Sequence, residues 1–144
     1  MKKKNSQKKK YIKSDLISTL ERAARGIFYR SEANYPFEVV SWPREEVKDL
    51  DAKALLRYEK YPRDTRVEVL DFDFFFEVPT TPQGWHDAEE RKQVNRYQRL
   101  VKLMKENLSD LRVFKVGEVQ VDIYIAGRSE SGDWVGLYTN SVET

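Results

Sequence analysis

Between residues 111 and 139 the chain reads as three strands separated by two turns, and that run limits the possible folds more than any other segment. Val119, Val121, Ile123 and Ile125 alternate with Gln120, Asp122 and Tyr124, so Val119–Ala126 carries one apolar face. Gly117-Glu118 is a tight turn back to a strand over Leu111–Val116. The stretch Gly127 to Gly132 turns the chain again into a strand over Trp134–Thr139. Strands joined by connections this short pair antiparallel, because a parallel pair needs a long crossover. An apolar sheet face must then be covered, and helices are the natural cover.

Helical spacing supplies it. Ser14 reads as an N-cap with Asp15 at the positive end of the dipole. Leu16, Ile17, Leu20, Ala23, Ala24, Ile27 and Phe28 follow on one stripe, with Gly26 near the helix end. Arg30–Asn34 reads as a loop, and Phe37–Trp42 as a strand stopped by Pro43. Residues 44–64 are ambiguous: Val47, Leu50, Ala54, Leu55 and Tyr58 allow a short helix, while Pro62 and the charges suit a loop. Arg66–Phe76 reads as a central strand, with Leu70, Phe72, Phe74 and Phe76 on one parity and Val69, Asp71 and Asp73 on the other. Thr81 and Pro82 suit a helix start; Asp87 with Glu90 offers a second one, as a capping box, if Gly84 interrupts the first turn. The long helix that follows runs to about Asn107, with Val94, Tyr97, Val101, Met104 and Leu108 as its stripe, widened by Leu100 and Leu103. The predicted order α, β, β, α, β, β, β is that of an α+β domain.

A length of 144 residues suits one domain, expected over 14–144, preceded by a basic arm over 1–13. That arm holds seven lysines and no acid, so the formal charge of +2 misleads: the rest has 19 basic against 24 acidic residues, about −5. A body of that sign favours a basic partner surface over a phosphate backbone. The arm reads first as a disordered solubilising tail, and second as an electrostatic contact for nucleic acid. With no cysteine, disulfides, thiol catalysis and zinc–thiolate sites are excluded. No apolar run approaches the roughly 20 residues of a membrane span, and none follows the lysines as in a signal peptide. A cytoplasmic setting is the expectation.

Catalytic patterns are sparse. The one histidine, His86, would serve as a general base oriented by Asp87 or Glu90 in a hydrolase. No nucleophile is tied to it by spacing, and an exposed histidine at a helix start describes it better. Asp71 and Asp73 share a strand parity, but two carboxylates alone make a poor cation site, and a solvated strand face is expected. The phenylalanines at 72–76 lack interleaved basic residues, so a core strand fits better than a base-stacking platform. Trp85, flanked by proline and glycine, is the tryptophan expected to be partly exposed, either as an interface anchor or as a staple at the helix start.

Four stretches taken together carry a resemblance: Tyr35-Pro36-Phe37-Glu38-Val39, Thr80-Thr81-Pro82-Gln83-Gly84-Trp85, Val116-Gly117-Glu118-Val119, and the ending Ser141-Val142-Glu143-Thr144. In that order and spacing the chain resembles the nuclease A inhibitor family from about Ser14 to Thr144. The resemblance implies a three-layer α-β-α sandwich related to the plant pathogenesis-related-1 fold, with a mostly antiparallel central sheet. It implies a protein that is not an enzyme and has no cofactor of its own. Such a protein is expected as a monomer that forms a 1:1 complex with a sugar-non-specific DNA/RNA endonuclease. In the family the C-terminal threonine, here Thr144, enters the nuclease active site with its hydroxyl near the catalytic Mg²⁺. The family glutamate after the first helix, which pairs with a nuclease arginine, falls on Glu32. Trp85 matches the family tryptophan and is expected in the interface, with Glu143 adding charge. One departure stands out: the family pattern has an acid just before that tryptophan, and this chain has Gly84.

Overall fold

The computed structural model describes residues 13–143. In chain order its elements are α1 (Lys13–Ala24), β1 (Phe28–Arg30), β2 (Asn34–Pro36), β3 (Glu38–Trp42), α2 (Ala52–Tyr58), β4 (Val67–Leu70), α3 (Phe72–Thr80), α4 (Ala88–Asn107), β5 (Ser109–Val116), β6 (Gln120–Arg128) and β7 (Trp134–Val142). Five strands form a sheet in the order β3-β7-β6-β5-β4, with antiparallel pairings throughout. β1 and β2 form a separate hairpin. The architecture is α+β, as the sequence leads one to expect.

The alternation along β6 divides the core in two. Val121, Ile123 and Ile125 join Leu16 and Leu20 of α1, Phe72 and Phe76 of α3, and Leu100 and Met104 of α4. Tyr124 and Ala126 join Trp42, Leu50, Leu55, Phe114 and Trp134 on the opposite face. Each fully buried Leu, Ile or Phe contributes roughly 1.5–3 kcal/mol. In β7, Gly136 lies opposite Val40 and Ala126. A Cβ there would stand 1.7 Å from the Ile125 carbonyl oxygen, so this close approach of strands admits only glycine.

The stretch Arg66–Phe76 is not one strand. β4 stops at Leu70 and sits at the sheet edge rather than its centre. Asp71 caps α3, its Oδ2 accepting the N–H of Phe74 at 2.9 Å. Phe72 and Phe76, one helical turn apart, are both buried, but Phe74 is 66% exposed, whereas strand parity would have buried all three. Asp71 and Asp73 therefore occupy a helix start, not a strand face, and Asp73 pairs with Lys105 of α4. Thr81 likewise ends α3 instead of opening the next helix, and its hydroxyl donates to the Glu77 carbonyl at 2.6 Å. α4 begins at the second candidate: Asp87 and Glu90 form a reciprocal capping box, both bonds at 2.8 Å. The region 44–64 contains α2, capped by Asp51, whose Oδ1 accepts the N–H of Ala54 at 2.8 Å.

Long-range ties fix the loop before α2. Arg112 and Arg128 lie 4.9 and 4.6 Å from the Trp134 ring centroid. The same guanidiniums donate to the carbonyls of Leu50 (3.1 Å) and Lys48 (3.2 Å). Further along this face, Tyr61 and Tyr138 donate to the two oxygens of Asp122 at 2.6 and 2.7 Å, and Asn140 adds its amide at 3.0 Å. The Tyr61 and Tyr124 hydroxyls are 2.7 Å apart. Burial raises the pKa of all three tyrosines, that of Tyr138 to about 12 with help from its bond to Asp122.

Candidate functional site

The stretch expected as a loop at Arg30–Asn34 is the tip of the β1–β2 hairpin, closed by the Ser31 N–H on the Ala33 carbonyl at 2.9 Å. Its base is fastened on two sides. The Tyr97 hydroxyl of α4 donates to the Phe28 carbonyl at 2.6 Å, and the Thr139 hydroxyl of β7 donates to the Pro36 carbonyl at 2.8 Å. Tyr29 stacks on Phe75, centroids 5.5 Å apart and rings 9° from parallel. Glu32 sits exposed on this anchored tip.

The end of the chain is more structured than expected. β7 continues three residues past Thr139, with Ser141 and Val142 opposite Val121 and Gln120. Thr139 and Ser141 fall on the inward parity and are buried, although both are polar. Their hydroxyls bond to the Pro36 carbonyl and the Glu143 carboxylate, so burial leaves neither orphaned. Among the described residues only Glu143 follows β7; Thr144 lies outside the described residues, as do residues 1–12 of the lysine arm.

Three bonds hold that end. The Val142 N–H donates to Ser31 Oγ at 3.0 Å, and the Glu143 N–H donates to the Val119 carbonyl at 2.8 Å. The Glu143 carboxylate meets Lys115 Nζ at 2.7 Å, with the two side chains 18% (Lys115) and 38% (Glu143) exposed. Burial pulls the Lys115 pKa down, but the bond to Glu143 and nearby Tyr29 and Glu68 outweigh it, so the net shift is upward. The hairpin tip carrying Glu32 and the chain end carrying Glu143 are thus neighbours, although 111 residues separate Ser31 from Val142.

Beside them runs an apolar groove of about 490 Å³, lined by Tyr29 and Arg30 of the hairpin, by Lys115, and by Phe74, Val78 and Trp85 among others. Trp85 is 73% exposed, as the sequence suggests, and meets His86 edge-on at 4.5 Å. Trp42 and Trp134 are fully buried. The His86 ring is engaged locally, its Nδ1 accepting the Gln83 N–H at 3.1 Å, while Glu90 is occupied in the α4 cap. Among the described residues, no group of three or more His, Asp or Glu could hold a metal ion. No described helix is long and apolar enough to cross a membrane.

The site therefore has three parts: an anchored acidic hairpin tip, a clamped chain end, and a groove that shares Lys115 with it. Residues 14–144 match the family described as nuclease A inhibitor-like protein. The chain belongs to the nuclease A inhibitor-like family. No curated protein matches the sequence. Family membership points to an inhibitory role, and to a nuclease as the kind of protein partner. Sequence reasoning missed Ser31 and Lys115. Neither has a local pattern, because their partners Val142 and Glu143 arrive from the far end of the chain.

Proposed function

We propose that this chain is a non-enzymatic inhibitor of a sugar-non-specific, Mg²⁺-dependent DNA/RNA endonuclease, acting in the cytoplasm as a monomer that forms a 1:1 complex. Thr144 approaches the nuclease Mg²⁺, its hydroxyl standing where a water or scissile-phosphate oxygen would be. Glu32 offers a carboxylate to a nuclease arginine, as a phosphate would. Trp85 adds buried area, and Glu143 contributes charge while its pairing with Lys115 aims the last residue. The observation that carries the reading is the Ser31–Val142 bond, which sets the Glu32 turn beside the chain end. The acidic body agrees with a basic nucleic-acid-cleaving cleft. We take residues 14–144 as one domain with the three-layer, pathogenesis-related-1-like sandwich; core residues on both sheet faces support this.

The test is to delete Thr144, or to extend the chain beyond it with a bulky tag. Inhibition should fall sharply while the circular dichroism and melting temperature stay unchanged. A tailless chain that inhibits as well as the full one would end this reading. The seven lysines in residues 1–13 favour a second activity, binding of nucleic acid by the arm. Its signature is salt-dependent DNA binding that disappears when those residues are removed.

A further inference from the structure

The contacts proposed at Glu32, Glu143 and Thr144 are small. A tight protein–protein complex buries about 800 Å² on each partner, more than a two-residue tail, one turn residue and the single side chain of Trp85 can supply. The groove beside the tail offers what is missing. Four of the six large hydrophobic residues exposed among the described residues line it: Phe28 (41%), Phe74 (66%), Val78 (78%) and Trp85 (73%). Phe74 and Val78 are one turn apart on the outer side of α3, whose inner side already buries Phe72 and Phe76. A helix at a solvated surface normally turns polar residues outward. Here the outward pair is apolar and faces a concave surface backed by the Tyr29–Phe75 stack. Convergent apolar walls of this kind suit a buried anchor side chain. The groove is also continuous with the chain end, because Lys115 both lines it and holds Glu143.

We propose that this groove receives a bulky apolar side chain, aromatic or branched, from the surface of the same nuclease that takes the tail. This rests on the inhibitor reading and extends it: the interface has two lobes, one dependent on the nuclease Mg²⁺ and one independent of it. The tail lobe blocks the active site, and the groove lobe supplies apolar burial that needs no metal.

Binding is measured by calorimetry to a purified sugar-non-specific, histidine–Mg²⁺ endonuclease that the full chain inhibits, in Mg²⁺ and again in EDTA. The wild-type chain should keep weakened binding in EDTA. The Phe74→Gln/Val78→Gln variant should bind at least about 30-fold more weakly than wild type in Mg²⁺ and again in EDTA, where only the Glu32 contact remains on the tail side. Both positions are exposed and the changes are neutral, so its melting temperature should match wild type. The chain lacking Thr144 should bind in Mg²⁺ as wild type does in EDTA. If the double variant matches wild type in both buffers, the groove lobe is refuted, while loss of inhibition on deleting Thr144 keeps the tail reading intact. If wild-type chain sediments as a dimer that the double variant dissociates, the groove's occupant is a second copy and the proposal is overturned.

Discussion

Ser31 Oγ accepts the backbone N–H of Val142 at 3.0 Å, joining the tip of the β1–β2 hairpin to the last residue of β7. This contact decides whether Glu32 and the chain end act as one surface. Ser31→Ala should cost about 0.5–1.5 kcal/mol of stability, the usual net worth of such a bond. Inhibition should suffer more than stability does, because the turn and the tail lose their mutual register. Urea unfolding set beside a nuclease inhibition constant separates the two effects.

Lys115→Met removes the clamp on Glu143. The pair is partly solvated, so the loss of stability should be small, roughly 0.2–1 kcal/mol. The Lys115 pKa is raised in the folded chain above its ordinary 10.5. Its contribution is therefore complete below that value and is lost as pH rises through the folded pKa. The stability gap between wild type and Lys115→Met should close above about pH 10.5. Taking the difference between the two proteins cancels the tyrosines remote from Lys115, while Tyr29, which is coupled to it, titrates as part of the same cluster. A gap that stays constant to pH 12 would show that the charge on Lys115 contributes nothing to stability.

Asp122→Ala removes the acceptor for the hydroxyls of Tyr61 and Tyr138 and the amide of Asn140. These groups are half-buried, and Tyr61 keeps the Tyr124 hydroxyl while Asn140 keeps that of Tyr138, so a loss of about 0.5–1.5 kcal/mol, the net worth of a hydrogen bond, is expected in a denaturant titration. The cluster shares its sheet face with Tyr124, opposite the face carrying α3 and α4. At a temperature where the variant stays folded, its affinity for the nuclease should be unchanged.

Gly84→Glu should fold normally. No atom lies within 4 Å of where its Cβ would stand, and substitutions at such open sites usually stay within about 0.5 kcal/mol. The change places an acid next to Trp85, where the family pattern has one. Tighter inhibition at unchanged melting temperature is the expected result. Unchanged inhibition would show that the acid adds nothing in this chain.

The strand pattern of β5, β6 and β7 was legible because alternation, turn glycines and short connections agreed. The α4 stripe was legible for the same reason, and its Asp87–Glu90 cap stood among the candidate starts. The phenylalanine run was not. Phe72 and Phe76 share a side in a strand and nearly so in a helix, so the pattern could not arbitrate, and only the Asp71 cap distinguished them. The loop before α2 was opaque because arginines of β5 and β6 fix it, not its own periodicity. In the site, exposed Trp85 was readable from its flanking proline and glycine. The end of β7 beyond Thr139 was not, because buried Ser141 looks like part of a polar tail until its partner is known.

β7 lies between β3 and β6, and its final residues remain laddered to β6 as far as Val142. A pull on Val142 directed along the strand axis would be shared by the whole ladder in shear instead of opening one rung at a time. Glu143 thus leaves the sheet from an interior strand rather than from an edge strand.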